Sequence, residues 1–169
     1  NDQNTTSTLT DIVPQDKEIK EKTTSEDVNS EQLVDQEHLY LCHHLRGGAT
    51  HPGVIVETAG LANIKPPRPI YRPRLPLELI TSGKISEIQL ERIIYAGQAH
   101  TQRLPFSMAR AGISIGDGTG VGKTGTLLGI ILDNWFSERK KTVWFSVKFD
   151  LIKAVKDEMK RLSINIPIK

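Results

Sequence analysis

The stretch GDGTGVGKTGT, Gly116 to Thr126, constrains this chain more than any other. Glycine at positions 118, 120 and 122 leaves backbone N–H groups open to close approach, because no Cβ stands in the way. Lys123 and Thr124 supply an ammonium and a hydroxyl, and an apolar run follows. Such a loop, feeding directly into a helix N-terminus, gathers N–H donors and the positive end of a helix dipole around a phosphate group. Gly118, Thr119, Gly120, Val121, Gly122, Lys123 and Thr124 are therefore the candidate nucleotide-binding residues. Lys123 is expected to reach the β- and γ-oxygens of a triphosphate, and the Thr124 hydroxyl to ligate Mg²⁺. A calcium loop would need alternating acidic ligands, and Asp117 is the only carboxylate in the stretch.

The flanks supply the structural context that such a loop requires. Small and β-branched residues predict a strand over Ala111–Ile115, running straight into the glycines. KTGTLLGIILDNWFSERKK reads as a helix closing on Arg139, Lys140 and Lys141, where cations favour the C-terminal dipole. Thr142–Val147 has the aromatic and β-branched content of a buried strand. Asp150 is placed to cap a last helix with Leu151, Val155, Met159 and Leu162 on one face. Upstream, Ile88, Ile93 and Ala96 recur near the helical period, widened by Leu90, Ile94 and Tyr95. Ser86 and Gln89 form a capping box at the start of that helix. The order strand, phosphate loop, helix, strand, helix predicts an α/β fold, the opening part of a doubly wound sheet.

Charge divides the 169 residues unevenly. Residues 1–37 carry three lysines against ten carboxylates, a net −7; the whole chain is +2, so the other 132 residues carry +9. The tail is polar and lacks aromatic residues, which predicts disorder. Between it and the helical part lies a lead-in, residues 38–83, with a possible strand at Gly53–Val56. It also holds a proline-rich strap with five prolines from Pro66 to Pro76. Lys65, Arg68, Arg72 and Arg74 surround Tyr71 there, which suits a nucleic-acid backbone with one stacked base; composition alone favours a strap lying over the following domain. His38, Cys42, His43, His44 and His51 lack the paired spacing of a metal module. One cysteine fits a reducing compartment, and no apolar run approaches the ~20 residues that span a bilayer. Asn1 at the start suggests a fragment.

The strict phosphate-loop pattern wants glycine five residues before Gly122, where this chain has Asp117. DGTGVGKT resembles the loop of superfamily-two helicases and, with its leading Asp, of Swi/Snf-type translocases; small-molecule kinases usually keep the glycine. In those helicases a glutamine upstream reads the adenine edge, and Gln89 stands 34 residues before Lys123. A Gln amide offers the donor and acceptor an adenine edge requires, and the capping box is the other use of the same side chain. HPGVIVETAGLANIKPP, ISEIQLERIIYAGQAH, RAGISIGDGTGVGKTGTLLGIILDN and KTVWFSVKFDLIKAVKDEM together resemble the strawberry notch family, over about residues 50–162. Arg68 departs from that family's pattern, which places an acidic residue after the two prolines.

The resemblance implies a pair of RecA-like domains, ATP and Mg²⁺ as ligands, and nuclear work in regulation of transcription, with nucleic acid or chromatin and transcription regulators as partners. Residues 84–169 then form the first, incomplete part of a RecA-like P-loop NTPase domain, with Ser146 and Asp150 in a segment that touches nucleic acid in helicases. The acidic box and arginine fingers of helicases do not occur within residues 1–169, so this stretch alone is expected to catalyse no turnover. In RecA-like sheets later strands insert between the two predicted here, Ala111–Ile115 and Thr142–Val147, so it is also expected to fold poorly. The alternative is a transcription co-regulator whose core binds nucleotide without splitting it.

Overall fold

Helix α3, Glu87–Thr101, is the axis around which the molecule is built. Its start is fixed reciprocally: the Ser86 hydroxyl accepts from the Gln89 amide, and the Gln89 side chain accepts from the Ser86 N–H. Ile88, Leu90, Ile93, Ile94 and Ala96 are almost wholly buried along it, the stripe that the helical period predicts. The molecule is described by a computed structural model over residues 37–40 and 47–168. Apart from Glu37, the acidic tail lies outside those residues, as do Cys42, His43 and His44.

Against α3 lies α4, Lys123–Phe136, which buries Leu128 and Leu132. The two helices approach closely because Gly129 has no Cβ; the Ile93 side chain occupies the place a Cβ would take. Helix α2, Leu77–Thr81, adds Leu79 and Ile80, and α5, Leu151–Arg161, is followed by buried Leu162 and Ile164. These side chains form one apolar cluster with Leu75 and Ile85. Burial of each large aliphatic side chain contributes roughly 1.5–3 kcal/mol. The sheet is small: β1, Glu37–Leu39, pairs antiparallel with β2, Val56–Thr58, and α1, Ala59–Ala62, follows.

The proline-rich segment 65–76 is an extended strap across α3 and α4. Ile70 donates its N–H to Gln98 at 2.9 Å, Gln98 donates to the Arg68 carbonyl at 3.2 Å, and the Tyr95 hydroxyl donates to the Pro67 carbonyl at 3.0 Å. The Tyr71 ring fills the space that the missing Cβ of Gly97 leaves on α3. Its hydroxyl donates to Asp133 of α4 at 2.8 Å, and the Arg74 N–H donates to the same carboxylate at 2.7 Å.

Several local expectations are corrected. Ala111–Ile115 and Thr142–Val147 are in no ladder, because β-propensity cannot supply a partner strand for their backbone groups. The second is not buried either: Phe145 is 91% and Val147 98% exposed. The strand expected at Gly53–Val56 forms at Val56–Thr58. Helix α4 ends at Phe136, so Arg139, Lys140 and Lys141 lie beyond its last turn. Asp150 stands at the N-cap of α5 but has helical backbone angles and makes no side-chain cap bond. No residue of α5 is fully buried; Val155 and Met159 are half-buried and Leu151 is exposed.

Candidate functional site

Two residues one turn apart on α3 grip the two ends of the glycine loop. Near its start, the Arg92 guanidinium holds Asp117 through Nε at 3.2 Å and through its terminal nitrogen at 3.1 Å. Near its end, Gln89 donates from Nε2 to the Gly122 carbonyl at 3.0 Å. Positions 89 and 92 share a helix face by their three-residue spacing, and the grip follows from that. The Asp that replaces the expected glycine is thus an anchor, with only 11% of its side chain exposed.

Arg92 is itself braced. It lies over the Tyr40 ring at 5.2 Å and donates to the Tyr40 hydroxyl at 3.1 Å, beside the buried Glu91. The Tyr40 hydroxyl donates to Glu91 at 2.5 Å. Burial first, and then the hydrogen bond to Glu91, push the Tyr40 phenol well above its ordinary range, so it stays a neutral donor at any physiological pH. The lead-in, α3 and the loop are joined through this one charged network.

Within the loop, Gly120 and Gly122 have φ of 91° and 86°, the left-handed region that glycine enters without strain. Space around the loop separates these glycines by role. A Cβ at Gly118 or Gly120 would meet open space, whereas one at Gly122 would strike the Gln89 amide. Among the described residues, the N–H groups from Gly118 to Gly125 donate to no protein acceptor. Lys123 folds back over them and donates to the carbonyls of Asp117 and Gly118, both at 2.7 Å. A run of N–H donors without protein acceptors, beside an ammonium held on the carbonyls of Asp117 and Gly118, suits a polyphosphate, whose oxygens would replace the two carbonyls as acceptors. Thr124, in the first turn of α4, is half-buried.

The structure therefore gathers Gly118, Thr119, Gly120, Val121, Gly122, Lys123, Thr124 and Gln89 in one place. It does not bring Ser146 or Asp150 there: both are exposed in the segment before α5, where the Ser146 hydroxyl donates to the Lys148 carbonyl at 3.2 Å. Arg72 and Arg74 are exposed on the strap, while the half-buried Tyr71 packs on Gly97 of α3 and donates to Asp133 of α4. His51 faces Gly53, and no group of three metal-ligating side chains occurs among the described residues. Arg92, Tyr40, Glu91 and Asp133 are the residues that sequence reading missed. Only Arg92 left a trace, its three-residue spacing from Gln89.

The profile of the family described as P-loop containing NTP hydrolase pore-1 matches residues 50–169. Protein strawberry notch of Drosophila melanogaster is 50% identical over 107 residues, covering 63% of this chain and 6% of that protein. The strawberry notch homolog of Caenorhabditis elegans is 44% identical over 125 residues, 73% of this chain and 7% of the relative. Human strawberry notch homolog 1 is 45% identical over 112 residues, 66% of this chain and 8% of the relative. The chain thus spans less than a tenth of the length of these three relatives. No solved structure matches.

Proposed function

The chain belongs to the P-loop NTP hydrolase family of the strawberry notch proteins, and from that premise we propose that it is the ATP-binding portion of a helicase-like NTPase. Residues 84–169 are the first part of a RecA-like domain. The whole protein engages nucleic acid or chromatin and regulates transcription in the nucleus.

The observation that carries the reading is the run of N–H groups from Gly118 to Gly125 without protein acceptors among the described residues, beside the Lys123 ammonium held on the Asp117 and Gly118 carbonyls. Lys123 would exchange its two carbonyl acceptors for β- and γ-oxygens, and Thr124 would supply a hydroxyl to Mg²⁺. After its bonds to Ser86 and Gly122, Gln89 keeps one Nε2 hydrogen and one Oε1 lone pair, the donor and acceptor that an adenine edge needs. ATP brings a γ-phosphoryl group whose transfer releases free energy; this chain's part is to bind and orient it.

The test is Lys123→Ala in the whole protein, titrated with a fluorescent ATP analogue. Loss of a charged hydrogen bond, worth about 1.5–3 kcal/mol, weakens binding on the order of 10- to 100-fold. Unchanged affinity would sink the assignment. ATPase activity stimulated by DNA, RNA or nucleosomes and abolished in the variant supports the helicase-like reading. Tight ATP binding without stimulation supports instead a non-catalytic nucleotide-binding co-regulator.

A further inference from the structure

Where the strap meets the C-terminal end of α4, a cleft of about 490 Å³ is lined by Ile70, Tyr71, Arg72, Arg74, Ser137 and Arg139. Helix α4 has 14 residues, and at ~1.5 Å of rise each they place this cleft about 20 Å from Lys123. It is separate from the phosphate loop.

Three arginines line the cleft, and none of them is in an ion pair among the described residues. The nearest carboxylate, Asp133, is buried and already accepts from the Tyr71 hydroxyl and the Arg74 N–H. Glu138 is paired with Lys140 at 2.9 Å. Arg139 is steadied by a bond from Nε to Asn134 and by a side-chain hydrogen bond to the Tyr71 hydroxyl. The cationic field continues past the rim: burial, and then the guanidinium groups of Arg110 and Arg139, hold His100 below its ordinary range.

A helix C-terminus attracts cations through its dipole, and Arg139 alone would serve that end. Arg72 and Arg74 come from a different segment, fastened by Asp133 so that they line the same space. The convergence therefore needs another account. Guanidinium forks match phosphate oxygens in pairs. Every nucleotide of a strand carries a phosphate whatever its sequence, so neighbouring phosphates can meet several guanidinium groups within one cleft. An extended peptide presents acidic side chains on one face only where every second residue is acidic.

We propose that this cleft holds the sugar–phosphate backbone of a single-stranded nucleic acid. The proposal rests on the reading that the protein engages nucleic acid, and it deepens that reading by naming where the strand is held. The test is the triple variant R72Q/R74Q/R139Q of the whole protein, with oligothymidylate binding followed by fluorescence anisotropy over a range of salt. Three lost phosphate contacts lower the log–log salt slope by about 2 and weaken binding about tenfold or more. The variant R72K/R74K/R139K keeps the slope. Affinity for a fluorescent ATP analogue is unchanged in both and certifies the fold. Should the triple variant lose it, R72Q and R139Q, from separate segments, are read singly, each lowering the slope by about 0.7.

An unchanged slope, with oligothymidylate still bound, overturns the cleft and leaves nucleic-acid engagement standing elsewhere. Absence of oligothymidylate binding by the unaltered protein overturns both. Loss of binding to a polyglutamate peptide in the triple variant, with oligothymidylate affinity intact, assigns the cleft to an acidic peptide and also overturns the proposal.

Discussion

At the phosphate loop the Asp117 carboxylate stands where an arriving triphosphate would add several more negative charges, and Arg92 is the group that offsets it. With Arg92→Ala, Asp117 becomes an uncompensated, largely buried anion beside the phosphates. ATP affinity should then fall about tenfold or more, in keeping with ~1.5–3 kcal/mol for a charged hydrogen bond. Asp117→Asn keeps an acceptor for Arg92 and should cost less. The double variant R92A/D117N should recover part of the loss, since the repelling charge has gone; titration of all three with a fluorescent ATP analogue makes the cycle. A double variant no better than R92A would refute the electrostatic account. Lys123, Thr124 and the glycines can be proposed from sequence alone because their chemistry is local and contiguous. The Arg92–Asp117 pair spans 25 residues, and a single sequence carries no mark of a contact made only when α3 meets the loop.

At the scale of elements, the long helices α3 and α4 were more legible than the strands, for one physical reason. A helix satisfies its backbone within its own segment, so the Ser86–Gln89 box and the apolar period over Glu87–Thr101 sufficed to place α3. A strand needs a partner, and Thr142–Val147 has β-forming residues with none. The strap was legible as extended because proline forbids helix; its docking on Gly97 and Asp133 was not. Packing of α3 on α4 gives a direct test. Gly129→Ala places a methyl group against Ile93, and overpacking of this kind costs about 1–3 kcal/mol. The melting temperature should drop by several degrees, although alanine is the better helix former by ~1 kcal/mol. Gly60→Ala in α1, where a Cβ meets open space, is the matched control and should leave the melting temperature unchanged or slightly raised. Equal effects at the two sites would mean that the Gly129 approach does not hold the helices together.

The described molecule as a whole divides into a protected centre and a solvated periphery. The centre is α3 with α4 and the buried side chains of α2 and the turn after α5. The periphery includes residues 112–122, whose N–H groups bond to no protein acceptor among the described residues, and residues 141–151, all exposed. Hydrogen exchange follows local opening, so amides already facing water exchange near their intrinsic rates, while core-helix amides wait for larger fluctuations. Mass-resolved exchange should show peptides within 88–99 and 127–134 slow, and those within 112–122 and 142–149 fast. Adding a non-hydrolysable ATP analogue with Mg²⁺ should then slow only the peptides covering 116–126, because the unpaired N–H groups of the loop gain phosphate acceptors. Oligothymidylate should change exchange around 70–74 and 137–139 instead, some 20 Å away along α4. Protection of 116–126 before nucleotide is added would contradict the open cradle. Slow exchange over 142–149 would mean that those residues find strand partners elsewhere in the whole protein. A joint response of both regions to either ligand would show that α4 couples them, since Asp133 near one end holds the strap and Lys123 at the other holds the loop.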